Sequence, residues 1–131
     1  MHEALRLAFE ASLAFRDSLP TRPVGAQATL QDLRATLGSA LPEDGLPAAQ
    51  VLAELVRDAT PGIVAEPGPR YFGFVIGGSS EAAMGADWLT SAWDQNCGLY
   101  ATSPALAVVE ETCARWLLDL LGLPTGSSVG F

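Results

Sequence analysis

Apolar residues recur along this chain at intervals of three and four, which is the spacing of amphipathic α-helices. The first such stretch covers residues 2–18, places Leu5 and Phe9 on one stripe, and ends before two prolines. The second begins after Thr29, a residue type that caps helices, and ends before Gly38, which suits the position after a helix. The pattern therefore predicts two short helices in the first part of the chain.

Three further helices are predicted downstream, which makes the chain mainly α, with about five helices joined by irregular loops. Pro47 fits the first turn of the third helix, and either Ser79 or Ser80 caps the fourth. Ser103 and Pro104 begin the fifth helix in the same way. The inward side of the third helix is predicted to consist of Val51, Leu55 and Val56. The buried stripe of the fifth is predicted to consist of Leu106, Val109, Cys113, Trp116, Leu117 and Leu120.

The passage PRYFGFVIGGSS, residues 69–80, combines aromatic, β-branched and glycine residues between a proline-rich loop and the fourth helix. Its YFGFVI part is predicted to be a short extended piece. The IGGSS part has three interpretations: amides at a helix N-terminus that bind a phosphate, a tight turn, or an apolar pocket wall. It matches neither common phosphate-loop motif, and the pocket interpretation uses the rings of Tyr71, Phe72 and Phe74.

The composition is that of a folded chain, because 49% of the residues are hydrophobic and 17% are charged. The formal net charge of −8 and the scattered arginines argue against a nucleic-acid partner. No apolar run is long enough to span a membrane, and the N-terminal stretch lacks the basic start of a signal peptide. We therefore expect a cytoplasmic protein with neither a membrane nor a nucleic acid as its partner.

Few side chains are available for chemistry. All seven basic residues are arginines, so the chain has no lysine amine, and its single histidine is His2. A Ser-His-Asp triad is therefore excluded in any useful form. Cys97 and Cys113 lack the spacing and the histidine partners of a metal site, so we expect two buried thiols and no bound metal.

Several short motifs point to one family. They are PRYF at residues 69–72, ADWL at residues 86–89, SP at residues 103–104, and Glu110, Trp116 and Leu117 in the predicted fifth helix. With these motifs the chain resembles the N-terminal region of the group II pyridoxal-phosphate-dependent decarboxylases, which include aromatic-L-amino-acid, glutamate, tyrosine and histidine decarboxylases. The resemblance is strong over residues 66–124 and loose before them.

The resemblance implies a fold and an assembly. Members of this family are homodimers with the fold type I, aminotransferase-like α/β architecture. Residues 1–59 would form an N-terminal helical arm that packs over the partner subunit. Residues 60–131 would begin the large domain and stop before the loop that holds the cofactor phosphate, so we expect the chain to be a fragment. The TGSSVGF sequence at its end is typical of a turn that leads into a strand.

The resemblance also implies site residues. Phe74, Gly77 and Tyr71 would line the substrate cleft, and Asn96 and Gly98 would reach into the active site of the partner subunit. The substrate would be an L-amino acid. The cofactor would be pyridoxal 5′-phosphate, whose lysine and phosphate loop lie outside these residues. The chain alone would therefore bind no cofactor and be inactive.

Two functions are compatible with these features. The first is the N-terminal portion of a pyridoxal-phosphate-dependent L-amino-acid decarboxylase, a carboxy-lyase, that supplies dimer interface and substrate-cleft wall. The alternative is a small helical protein–protein interaction module derived from such an enzyme. A nucleotide-binding module is a third interpretation, which the acidic charge opposes.

Overall fold

The computed structural model describes residues 2–131. These residues form five α-helices and no β-strand, which confirms the predicted mainly α chain. The helices are α1 Glu3–Ser18, α2 Leu30–Leu37, α3 Ala48–Ala59, α4 Glu81–Trp93 and α5 Pro104–Leu120. A 3₁₀ turn, Thr60–Gly62, follows α3 directly. The chain divides into a first unit, Met1–Ser79, and a second unit, Ser80–Phe131, while the predicted domain division after residue 59 stays a prediction.

Local capping determines where α2 and α4 begin. Thr29 Oγ1 accepts a hydrogen bond from the Asp32 N–H at 3.2 Å, and the Asp32 carboxylate accepts one from the Thr29 N–H at 2.9 Å. This reciprocal pair is a capping box, which satisfies two amides at the helix start. Ser80 Oγ accepts from the Ala83 N–H at 3.2 Å at the start of α4. The caps predicted at Thr29 and at Ser79 or Ser80 are thereby confirmed.

Proline and glycine mark further helix boundaries. Pro104 is the first residue of α5, as predicted, whereas Pro47 lies one residue before α3 and not within its first turn. Gly122 follows α5 with φ +62°, a left-handed conformation that glycine takes without strain. Gly38 follows α2 with φ −89°, so α2 ends without a left-handed residue.

In the first unit, α3 packs against both α1 and α2. Backbone hydrogen bonds hold the intervening loops, from the Ala28 N–H to the Pro61 carbonyl at 3.0 Å and from the Ala65 N–H to the Val24 carbonyl at 2.9 Å. Leu19 and Ala65 are the buried apolar residues of the described chain. The core of this unit is therefore small and lies at the C-terminal end of α1.

In the second unit, α4 and α5 form no extensive helix–helix contact among the described residues. The predicted burial of the α5 stripe is therefore wrong for Val109, Trp116, Leu117 and Leu120, the last of which is 80% exposed. Periodicity identifies the apolar face of a helix, but that face is buried only where another surface covers it. Within this unit, the described residues supply no such surface.

The same explanation applies to α3 in the first unit. Its predicted inward residues Val51, Leu55 and Val56 are all exposed, so that prediction is also wrong. The contacts of α3 with α1 and α2 use other positions on the helix. Both units therefore present apolar helix faces to solvent.

One hydrogen-bonded carboxylate is expected to make the stability of the first unit depend on pH in acid. The Thr29 hydroxyl and the Thr29 N–H both donate to the Asp32 carboxylate, which holds the pKa of Asp32 below its ordinary value of 3.8. Because the folded pKa is the lower one, this stabilisation is present above pH 3.8 and is lost as the pH falls through the folded pKa. We expect the free energy of unfolding, measured in urea, to fall less steeply with decreasing pH below 3.8 in Asp32→Asn than in the wild type.

Asp44→Asn is the matched control for this prediction. Asp44 lies in the loop before α3, and no group of the described chain donates a hydrogen bond to its carboxylate. We expect this variant to lose stability with acid as steeply as the wild type does. The capping explanation fails if Asp32→Asn follows the wild-type curve as well.

Candidate functional site

Residues 69–79, here called the aromatic segment, contain the residues predicted to line a substrate cleft. The segment forms no strand, so the prediction of an extended piece at YFGFVI is wrong. A strand needs a neighbouring strand to bond with, and the described chain contains none. Phe74 and Val75 instead make a left-handed turn with φ +57° and +54°. Such a conformation is strained for residues with a Cβ, and most of all for a β-branched residue.

The three predicted substrate residues all lie in the aromatic segment. Tyr71 is half-buried, and a Cβ at Gly73 would stand 3.1 Å from the Tyr71 hydroxyl oxygen. Phe74 is 90% exposed. Nothing lies within 4 Å of the position that a Cβ would take at Gly77 or Gly78, so these two glycines do not serve a close backbone approach. The segment thus presents a phenylalanine ring outward beside bare backbone.

Both ends of the aromatic segment are attached to the first unit. The Arg70 guanidinium donates a hydrogen bond to the Arg22 carbonyl. At the other end, Arg16 on α1 donates to the Ser79 carbonyl at 3.1 Å. Residues 72–78 between these attachments form no hydrogen bond with the described chain. The turn is therefore anchored at its ends and exposed in its middle.

Residues 94–103 connect α4 to α5 and contain the residues predicted to reach a partner's active site; we call them the 94–103 loop. Asp94 ends α4 in the left-handed region with φ +45°. Thr102 Oγ1 lies 2.8 Å from the Asn96 carbonyl oxygen and 2.9 Å from the Leu99 carbonyl oxygen. The Thr102 N–H also donates to the Leu99 carbonyl at 3.1 Å, so Thr102 closes the loop on itself.

Asn96 and Gly98, the predicted partner-site residues, bond to each other. Asn96 Oδ1 accepts a hydrogen bond from the Gly98 N–H at 3.0 Å, so this side-chain oxygen is used inside the loop. Leu99 and Tyr100 are the large apolar side chains that the loop exposes, at 63% and 70%. Sequence reasoning missed these two residues. The available signal was the run from Gln95 to Val109, the longest stretch of the chain without a charged side chain.

A cavity of about 290 Å³ lies in the second unit beside the start of α5. It is lined by Trp93, Gln95, Ser103, Ala105 and Leu106. The buried Ser103 hydroxyl has no hydrogen-bond partner in the described chain. The residues that line the cavity carry no charge.

Cys97 is exposed and Cys113 is half-buried, so the prediction of two buried thiols is wrong. Both residues belong to surfaces that the described chain leaves uncovered. No group of three or more His, Cys, Asp or Glu side chains within residues 2–131 is arranged to hold a metal ion. None of the described helices combines the length and the apolar character needed to cross a membrane.

Comparison with protein families identifies the relatives of this chain. Residues 31–130 match the family model described as the pyridoxal-dependent decarboxylase conserved domain. The match includes both the aromatic segment and the 94–103 loop, and it extends over most of the chain. This chain therefore belongs to the pyridoxal-dependent decarboxylase family.

Proposed function

We propose that this chain is the N-terminal portion of a group II pyridoxal-phosphate-dependent L-amino-acid decarboxylase, of the aromatic-L-amino-acid and glutamate decarboxylase type. In this role it supplies a homodimer interface and one wall of the substrate cleft. The observation that carries the proposal is the family match over residues 31–130, together with the absence of lysine from all 131 residues.

The residues of this chain do not fit the cofactor of the family. Pyridoxal phosphate reacts through an imine that it forms with a lysine amine. The chain has no lysine, and its single histidine, His2, lies just before α1. The proposal therefore assigns positioning and assembly to this chain, assigns it no catalytic residue, and expects it to be inactive alone.

The geometry of the aromatic segment supports the substrate-wall role. Phe74 presents its ring outward, and Gly77 leaves the backbone bare beside it. An exposed ring of this kind buries a large apolar area when a ligand covers it. In the proposal, Phe74 borders the substrate, Gly77 leaves room for its polar end, and the half-buried Tyr71 supports the wall.

The extent of exposed surface supports the assembly role. The chain exposes 10298 Å². Two separate globular units with the masses of these two would together expose roughly 7,900 Å², which leaves an excess of roughly 2,400 Å². One subunit of a large homodimer buries on the order of 1,000 to 2,500 Å². The proposal therefore packs the exposed helix faces of the arm, residues 1–59, against a partner subunit, with residues 60–131 as the start of the large domain.

Phe74→Ala tests the substrate-wall role in the decarboxylase that contains this chain. Loss of one ring contact is expected to raise KM for the L-amino acid about tenfold. We expect kcat to change little, because Phe74 is assigned to substrate binding and not to the cofactor chemistry. Carbon dioxide release, measured over a panel of L-amino acids, gives both constants and identifies the substrate.

Phe72→Ala is the matched control, because Phe72 is a second exposed phenylalanine of the aromatic segment that the family resemblance does not assign to the substrate cleft. We expect it to leave KM within about twofold of the wild-type value. Equal effects of the two substitutions would refute the role of Phe74. If the wild-type enzyme released carbon dioxide from no amino acid, the decarboxylase proposal itself would be overturned.

A further inference from the structure

The start of α5 leaves several hydrogen-bond donors without partners. Ser103 occupies the position before the helix, where a serine side chain commonly caps, but its hydroxyl caps no amide. Pro104 has no N–H, and neither the Ala105 N–H nor the Leu106 N–H donates to a group of the described chain. The Ala107 N–H is the first with a partner, the Ser103 carbonyl at 3.1 Å. Two amides and one hydroxyl are therefore available at a single helix start.

The Ser103 hydroxyl points to a ligand independently of the helix end. Ser103 is 2% exposed, and its hydroxyl oxygen has no hydrogen-bond partner in the described chain. A buried hydroxyl without a partner destabilises the folded chain, and a bound molecule that supplies the partner is one explanation for such a group. Ser103 lines the cavity of about 290 Å³ together with Ala105 and Leu106. The unpartnered groups and the open volume therefore belong to the same place.

The electrostatics of this cavity favour an anion. The positive end of the α5 dipole lies at the two free amides, and helix N-termini of this kind bind carboxylates and phosphates. No lining residue is acidic, so the wall itself contains no carboxylate that competes for the donors. Asp94 precedes the lining residue Gln95 in sequence but does not line the cavity. Asp94 and the net charge of −8 are expected to keep the affinity for an anion modest.

The remaining lining is mostly apolar. Trp93 and Leu106 supply apolar surface, and Gln95 Nε2 is engaged as a donor to the Trp93 carbonyl at 2.9 Å. A volume of about 290 Å³ is at the lower end of the range for ligand pockets, so the occupant is small. A molecule that uses both parts of the cavity has an anionic group at one end and an apolar body at the other.

We propose that the cavity beside the start of α5 binds a small apolar carboxylate. The carboxylate accepts hydrogen bonds from the Ala105 and Leu106 amides and from the Ser103 hydroxyl, which turns toward it by rotation about the Cα–Cβ bond. The apolar body of the ligand packs on the Trp93 ring. None of the residues assigned to the substrate cleft or to the partner's active site lines this cavity. The site therefore goes beyond the proposed function and does not depend on it.

An NMR titration of the full 131-residue chain with 3-phenylpropionate tests the site. This probe has a carboxylate and an apolar ring but no amine, so it cannot serve as an amino-acid substrate. We expect a dissociation constant of about 1 mM, which is ordinary for a ligand of this size. The amide protons of Ala105 and Leu106 are expected to shift downfield as they bond to the carboxylate.

Two further probes separate the anionic part of the ligand from its apolar part. 3-Phenylpropanamide keeps the shape of 3-phenylpropionate without its charge, and it is expected to bind about fivefold more weakly. Acetate keeps the charge without the ring, and it is expected to bind at least about tenfold more weakly because it buries little apolar area. Equal affinities for the acid and the amide would overturn the assignment of a carboxylate.

Ser103→Ala tests the role of the buried hydroxyl. It is expected to raise the dissociation constant for 3-phenylpropionate about tenfold, because a hydrogen bond to a charged group is lost. The same substitution is expected not to lower the urea midpoint of the free chain, since the hydroxyl has no partner there. Ser127→Ala is the matched control, because Ser127 is an exposed serine that follows α5 in the same unit, and it should leave the affinity unchanged.

Three other results would overturn the site. The first is that neither the Ala105 nor the Leu106 amide shifts at about 20 mM 3-phenylpropionate, which is well above the expected dissociation constant. The second is that Ser103→Ala and Ser127→Ala bind the probe equally well. The third is a lower urea midpoint in Ser103→Ala, which would show that the hydroxyl bonds within the protein. Each of these leaves the proposed function intact, because carbon dioxide release by the enzyme that contains this chain tests that function separately.

Discussion

Leu19→Ala is expected to lower the free energy of unfolding of the first unit by about 3 kcal/mol. Leu19 is 6% exposed and lies just after α1, next to Ala65 and Gly68 in the small core. A Cβ at Gly68 would stand only 3.6 Å from Leu19 Cδ2, so the leucine side chain fills a confined space. Replacing the leucine side chain by alanine forfeits the free energy of transferring the removed atoms out of water, and it leaves a cavity. Urea unfolding followed by far-UV circular dichroism measures the change.

Leu41→Ala makes the same chemical change at an exposed leucine in the loop between α2 and α3. It is expected to change the stability by less than about 0.5 kcal/mol, because no contact is lost. A similar loss of stability in both variants would show that Leu19 is not part of a core. The comparison also reports whether the first unit unfolds cooperatively around this residue.

Gly38→Ala is expected to destabilise the end of α2, at a cost of about 2 kcal/mol. A Cβ at Gly38 would stand 2.4 Å from the Arg34 carbonyl oxygen, which belongs to the backbone and cannot rotate away. The Gly38 N–H donates to the same carbonyl at 3.1 Å, so relief of the clash also breaks this closing hydrogen bond. We expect a lower urea midpoint and a small loss of helical signal.

Gly45→Ala is the control for that substitution. Gly45 also lies in the loop between α2 and α3, and nothing is within 4 Å of the position that its Cβ would take. The control is expected to leave the stability unchanged or to raise it by up to about 1 kcal/mol, because alanine restricts the unfolded chain. A Gly38→Ala variant as stable as Gly45→Ala would show that the backbone relaxes without cost.

Helix boundaries could be predicted from the sequence because they depend on neighbouring residues. Thr29 and Ser80 cap their helices through bonds that span three positions, and Pro104 and Gly122 act through their own backbone angles. Burial could not be predicted in the same way. The apolar face of α5 is visible in the sequence, but whether it is covered depends on a surface that its own sequence does not encode.

The conformation of the candidate site also could not be predicted from the preferences of its individual residues. Aromatic and β-branched residues favour extended backbone, yet Phe74 and Val75 adopt left-handed angles while the neighbouring glycines do not. The roles predicted for Asn96 and Gly98 rest on a family resemblance, which concerns position and not hydrogen bonding. The structure adds that Asn96 Oδ1 bonds to the Gly98 N–H. The hydrogen bonds of Thr102 Oγ1 to the Asn96 and Leu99 carbonyls depend on the conformation of the whole loop.

The attachment of the aromatic segment at both ends also limits how far residues 72–78 can move. The bonds from Arg70 to the Arg22 carbonyl and from Arg16 to Ser79 turn residues 72–78 into a short tethered loop. Much of the entropy of closing that loop has already been lost before any ligand arrives. The two attachments therefore limit the volume that the exposed Phe74 ring can sample.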